Sequence, residues 1–535
     1  MVGSVSRTYD NSFRITSRSV NGGNTISFTY DQDDLLTSAG SETLTNDPNN
    51  GLLTGTSLGV VTDSYAYNGF AEMADYEAQV SGTPVFGTVF ERDKLGRITK
   101  KTETVNGVTH VFDYTYDTAG RLHEVFKDSV LQNTYTYDAN GNRLNNGAVY
   151  DDQDRLVSTS TATYTYTANG ELASKTEGGQ TTTYNYDVVG NLISVTLPDS
   201  TLIEYVIDGR SRRVGKKVNG VLTKAWLYKD GLNPIAELDG AGNVVSRFVY
   251  ASKSNIPDYV IKAGITYRIV SDHLGSPRQV IDTSDGTTVQ QRDYDEWGNV
   301  LFDTNPGFIP FGFAGGVYDQ DTKLVRFGAR DYDPQTSRWT SKDPIRFGGG
   351  DVNFFGYVMA DPVNMVDPNG QVPPAAVAGF VATGKLIGGV AFGVFAGATG
   401  GAISGGKTGA VIGGFVGGIV GLYNPLGSKE AGLFAAALTR TAVAAAENVV
   451  AQALGNIVRI IRGNCTLVFD PIEAVFAGFG NLLGRGLAKP SDFGKYGIEF
   501  LDSIFAGGGA RAGQMVGGQL SGNDNGQISF KNPFQ

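Results

Sequence analysis

Through residue 370 the chain alternates: aromatic or aliphatic residues at every second position, with Thr, Ser, Asn or charged residues between them, in short runs broken by Asp/Asn/Gly clusters. Tyr114-Thr-Tyr-Asp117-Thr-Ala-Gly120-Arg-Leu122 shows the unit. Tyr-x-Tyr sets two aromatics on one face of a strand, because strand side chains alternate with a period of two. Asp-x-x-Gly predicts a turn, with Asp bonding its own downstream backbone and Gly taking positive φ. Arg121-Leu-His-Glu-Val-Phe126 alternates again and predicts the return strand. The unit recurs at Phe28-Thr-Tyr-Asp31, Tyr135-Thr-Tyr-Asp138, Tyr164-Thr-Tyr-Thr167 and Tyr184-Asn-Tyr-Asp187, with weaker copies at Tyr9-Asp10, Asp93-Lys-Leu-Gly96 and Tyr150-Asp151. Clear neighbours lie about 20 residues apart, a spacing typical of stacked repeats. A lone hairpin is marginal in water, so each must pair with the next. The pattern therefore predicts a mainly β protein, one continuous antiparallel sheet that curls into a shell. Its tyrosines read as packing residues.

After residue 370 the period changes. Gly389, Gly393, Gly397, Gly401, Gly405, Gly409, Gly413, Gly417 and Gly421 recur every fourth position and form one smooth face of a helix. Lys407 splits the surrounding apolar run into two segments close to membrane-spanning length. Glycine disfavours helix in water by about 1 kcal/mol per residue relative to Ala. This region, 371–427, is thus predicted as a helical hairpin that needs either lipid around residues 386–424 or tight partners inside a protein shell. Residues 428–535 predict a further helical module, opened by Ser428 and Glu430. Gly401-Ala-Ile-Ser-Gly-Gly-Lys-Thr408 matches a phosphate-loop pattern, but the four-residue glycine period runs through it unbroken and already accounts for Gly401 and Gly405.

Composition narrows the chemistry. The net charge of −11 argues against a nucleic-acid partner. The tail is mildly basic, with 11 Lys/Arg against 8 Asp/Glu after residue 370. A lone Cys465 excludes an intramolecular disulfide framework, and His110, His123 and His273 are scattered, so neither a metal site nor a cofactor is expected. His273 reads as a structural hydrogen-bonding residue. The start of the chain lacks a signal-peptide pattern and falls inside a repeat, which predicts a piece of a longer protein whose delivery region lies elsewhere.

These repeats resemble the Rhs/YD-repeat family, which includes bacterial Rhs toxins, Tc-toxin C components and teneurins. The likeness sharpens at Ser271-Asp-His-Leu-Gly-Ser-Pro-Arg278, Tyr294-Asp-Glu-Trp-Gly298, Phe311-Gly-Phe-Ala-Gly315 and Arg330-Asp-Tyr-Asp-Pro-Gln-Thr-Ser-Arg-Trp339. It divides the chain into repeats (1–265) and an associated core (266–370), and implies a cocoon around the chain's own C-terminal segment. It also implies that Asp343-Pro-Ile-Arg346 and Asp367-Pro-Asn-Gly370 form a self-cleavage element, with Asp343 and Asp367 as an aspartyl pair, Lys342 in support, and the cut between Gly370 and Gln371. Two adjacent carboxylates cannot both ionise easily, so one keeps a proton while the other activates water. Three positions depart from the family: Arg346 where Gly is usual, Lys342 where Arg is frequent, and Gln371 where Leu is common. Without the likeness, both Asp-Pro pairs read as turn formers.

Two functions follow. One is a secreted or delivered shell that releases a membrane-active effector in competition between bacteria, opposed by an immunity protein. The other is a structural or cell-surface repeat protein whose C-terminal helices plug or anchor the shell.

Overall fold

The computed structural model describes residues 3–371 and the backbone of residues 375–376. The glycine stripe, the phosphate-loop pattern and the helices expected after residue 427 lie outside the described residues. Among the described residues no helix is long and apolar enough to cross a membrane.

Nearly every strand pairs antiparallel with its sequence neighbour, as short turns dictate. The first sheet has thirteen strands, from Val5–Tyr9 to Val130–Thr134, and the second sixteen, from Val149–Tyr150 to Val300–Asp303. Neither closes on itself. The expectation of one continuous sheet is corrected here. The regular ladder breaks between Thr134 and Val149, where the Asn145 side chain bridges the strand edge, with Nδ2 donating to Thr134 O (2.6 Å) and Oδ1 accepting from Thr136 N (3.3 Å), beside an isolated Tyr137–Arg143 bridge.

Most repeats solve their turn in the same way. In the clearest copy, Asp117 Oδ1 accepts from the N–H groups of Ala119 and Arg121 (2.8 and 3.0 Å) while Oδ2 takes Arg121 Nε (2.7 Å). Asp93, Asp151, Asp187 and Asp208 repeat the backbone pair. The two tyrosines divide the work. The first is buried, as are Tyr65, Tyr114, Tyr164 and Tyr184. The second donates its hydroxyl to a carbonyl of an earlier strand: Tyr67 to Leu53 O (2.9 Å), Tyr116 to Ile98 O (2.6 Å), Tyr166 to Leu156 O (3.0 Å). Each such bond contributes about 1 kcal/mol and pins the inter-strand register. Opposite the Asp turns, tight links such as Asn106-Gly107, both at positive φ (49° and 80°), suit the strand twist.

The sheets are joined by buried ionic posts. Arg268 on the second sheet meets Glu42 and Asp63 on the first, with Asp258 3.7 Å away and Thr56 Oγ1 at 3.1 Å. Burial first, then the nearby Asp258, pushes the Glu42 carboxyl well up, against the pull of Arg268. Arg278 binds Glu103 through both terminal nitrogens (2.6 and 3.0 Å).

Residues 305–371 cover these walls. A four-stranded sheet, Val317–Tyr318 to Arg338–Trp339, carries an aromatic cluster of Phe313, Phe327, Tyr332, Trp339 and Tyr357. Long-range bonds seat it: Arg213 to Asp331 (2.8 Å), Tyr205 to Asp319 (2.8 Å), and Ile98 N to Asn364 Oδ1 (2.7 Å). His273 Nε2 donates to Val363 O (2.8 Å), and burial drops its imidazole pKa to about 4, so it is neutral and structural.

Candidate functional site

Two turns bring the Asp-Pro motifs to one point. Asp343 opens the first: its Oδ1 accepts from Ile345 N (2.9 Å) and its carbonyl from Arg346 N (3.0 Å). Asp367 follows the strand Met365–Val366, whose backbone pairs with Ala375–Ala376. The bond between Gly370 and Gln371 lies in the chain between these two strands.

Arg330 gathers these parts. Its Nη2 lies 2.8 Å from Asp343 Oδ2 and 3.2 Å from Asp367 Oδ2, so the two carboxylate oxygens are no farther apart than those distances laid end to end. Its Nε donates to the carbonyl oxygen of Gly370 (2.5 Å), and its Nη1 to Phe354 O (3.2 Å). The guanidinium carbon sits 4.1 Å over the Trp339 ring. On the far side of the peptide bond, Gln371 N donates to Asp367 Oδ1 (3.2 Å) and Asn369 Oδ1 (3.0 Å). One carboxylate thus faces the nitrogen of this bond while an arginine faces its oxygen.

Both acids are buried. Desolvation lifts the Asp367 carboxyl to about 6 against the pull of Arg330. Asp343 is also raised by burial, again opposed by Arg330. A cavity of about 20 Å³, lined by Arg330, Asp343, Gly349 and Asp367 among others, is large enough for one water.

The backbone grips this stretch of chain. Gly370 has φ +65°, and a Cβ there would meet Phe327 O at 2.5 Å and Arg330 N at 3.0 Å. Ala329 N donates to Asn369 O (3.0 Å).

Of the residues singled out from sequence, Asp343, Asp367, Gly370 and Gln371 are brought together. Lys342 is not: its Cε and Nζ pack against Gly170. Adjacent residues of an extended chain point to opposite faces, so a base next to Asp343 in sequence turns away from it. Arg330, from across the sheet, fills that place, and its position in Arg330-Asp-Tyr-Asp carried no local mark of the role. Arg346, where the family has Gly, sits at φ 52°. A left-handed residue other than Gly costs about 1–2 kcal/mol, offset in part by the chain entropy that Gly adds to the unfolded state. Arg346→Gly is therefore expected to stabilise the protein by about 0.5–1 kcal/mol, read as a higher urea midpoint with unchanged slope.

The Teneurin YD-shell family model matches residues 1–348, which include Asp343 and stop short of Asp367. Human Teneurin-4 is 28% identical over 300 residues, covering 53% of this chain and 11% of the relative. Zebrafish (Danio rerio) Teneurin-3 is 27% identical over 358 residues, covering 63% and 13%. The tRNA3(Ser)-specific nuclease WapA of Bacillus spizizenii is 30% identical over 282 residues, covering 49% and 12%. The chain thus spans about an eighth of the length of these relatives. Among solved structures, the Photorhabdus luminescens Tc holotoxin pore aligns with TM-score 0.57 at 16% identity, over 70% of this chain and 22% of that one. At that identity the likeness is one of fold.

Proposed function

The chain belongs to the Rhs/YD-repeat family as a shell protein, and on that premise we propose that it cuts itself between Gly370 and Gln371 and so frees its C-terminal segment as an effector. The observation that supports this most is the shared guanidinium, which ties Asp343 and Asp367 to the carbonyl of the bond to be cut.

In this reading Asp343, ionised, takes a proton from a water in the cavity as the water attacks the Gly370 carbonyl carbon. Arg330 Nε stabilises the oxyanion that develops on Gly370 O. Asp367, protonated, donates to Gln371 N as the C–N bond breaks. The products are a carboxyl on Gly370 and an amine on Gln371. The new carboxylate stays beside Arg330, and Ala375–Ala376 stay paired with Met365–Val366 until pulled away.

Likeness to the nuclease WapA and to the Tc holotoxin supports an effector role for residues 371–535. Their glycine stripe supports action at a membrane, with residues 386–424 as the inserting part and an immunity protein as the counter-partner. Purified protein tagged at both ends tests the core of the proposal. Denaturing gels should show two fragments for the wild type and one full-length band for Asp343→Asn; a single band for both would end it.

The pH dependence follows from the same roles. Asp367 must hold its proton, and its pKa is about 6. Cleavage is expected to fall about tenfold per unit as pH rises above about 6, because the acid form is lost in that proportion. Cell-free translation product shifted into buffers of graded pH and sampled over time checks this. A rate that rises from pH 6 to 8 would reverse the assignment.

A further inference from the structure

The loop of residues 344–353 closes at its base through Asp343 N donating to Phe354 O (3.0 Å). Its middle is the short helical turn Arg346–Gly349, ended by Gly350 at φ 81°. Within this loop Gly349 is buried while Gly348 and Gly350 are exposed, and Phe347 is 72% exposed. The loop is therefore a surface excursion that dips inward at one residue. A Cβ on Gly349 would stand 2.7 Å from Asp343 Oδ2 and 3.3 Å from its Cγ, with Gln371 O at 3.8 Å. The oxygen it would strike is the one that Arg330 Nη2 holds at 2.8 Å. At Gly348 a Cβ would meet only the Ile345 side chain, at ordinary contact distances from 3.6 Å.

We propose that Gly349 is a positioning residue for self-cleavage: its bare backbone packs against Asp343 Oδ2, holds that carboxylate on Arg330 and caps the cavity so that it admits a single water. The inference rests on the cleavage reading above. No side chain fits at this point without moving the carboxylate. A methyl at 2.7 Å must push Asp343 away from Arg330, and a carboxylate that loses its cation while still buried rises in pKa. The base then stays protonated over more of the working range, and its oxygen no longer faces the water. The same backbone lies close to Gln371 O, so the loop borders the first residue on the leaving side of the cut.

The test compares Gly349→Ala, Gly348→Ala and Asp343→Asn in the full-length tagged chain, with cleavage rates across pH 4.5–8. Gly349→Ala should slow cleavage by about 10²-fold, the cost expected of a small displacement at a reacting centre, and shift the acid limb of its profile upward. Gly348→Ala should cleave as the wild type does. A merely structural glycine would lower the amount of folded protein without moving the limb. Thermal unfolding supplies the second readout. The loss in melting temperature from Gly349→Ala should shrink when Asp343 is already Ala, because the clashing oxygen is gone. Wild-type cleavage in Gly349→Ala, or an equal loss in both backgrounds, overturns the inference. If Asp343→Asn cleaves normally, the cleavage reading itself falls and takes this one with it, whereas an inert Asp343→Asn beside an active Gly349→Ala removes only the role of the glycine.

Discussion

Arg330→Lys is expected to lose self-cleavage by about 10²-fold or more while the protein still folds. One guanidinium at present serves four acceptors: Asp343, Asp367, Gly370 O and Phe354 O. An ammonium keeps the positive charge but has no planar fork, so it cannot face both carboxylates and the carbonyl together. Removing one donor to a developing oxyanion typically costs about 10²–10³ in rate. Charge retention matters for interpretation, since a neutral residue here would leave two buried carboxylates without a cation and unsettle the fold. Asp367→Asn is the companion variant: it keeps the volume, lacks the acidic proton, and should be at least as inactive. Cleavage that survives in Arg330→Lys at the wild-type rate would show that the carbonyl needs no help from this side chain.

The largest expected effect on stability lies far from the cut. Arg268→Met should cost about 3–5 kcal/mol at neutral pH, because breaking a buried ionic cluster leaves the remaining charges uncompensated. Glu42, Asp63 and Asp258 surround this one cation, and Glu42 is fully buried. Without Arg268 the pull that opposes burial at Glu42 is gone, and its folded-state pKa rises further. Acids raised in the folded state favour it below those values and oppose it as pH climbs through them. The deficit should therefore be smaller at pH 5 than at pH 8, as read from urea midpoints at the two values. An equal deficit at both would mean that lost packing around the Arg268 side chain, and not charge, sets the cost. Glu42→Gln keeps the volume of a carboxyl that burial already pushes well up and should cost less than Arg268→Met at pH 7.

How much of this was legible beforehand depended on the range of the interactions. The Asp117 and Asp187 turns were readable because their partners lie two and four residues downstream. The burial of Tyr114 and Tyr184 followed from strand alternation alone. The second tyrosine's hydroxyl bond was hidden, since Tyr116 reaches back 18 residues to Ile98. Equally hidden was the break between the sheets, which falls in a segment that reads as another repeat. At the candidate site the two aspartates were recognisable only through family likeness. Lys342 was expected in support only from its place in the family motif, while Arg330, which lies beside both carboxylates, had no such mark. Gly349 carried no local signal, as one of three successive glycines. Its tight contact with Asp343 exists only in the folded loop.

On the proposal above, Asp343, Asp367 and Arg330 cut one particular bond. Intact mass measurement on the denatured, purified wild type, beside Asp367→Asn, tests it most directly. Two wild-type masses are expected, matching residues 1–370 and 371–535, and one undivided mass for the variant. Fragments that join at any other bond, or the same two masses from Asp367→Asn, would contradict it.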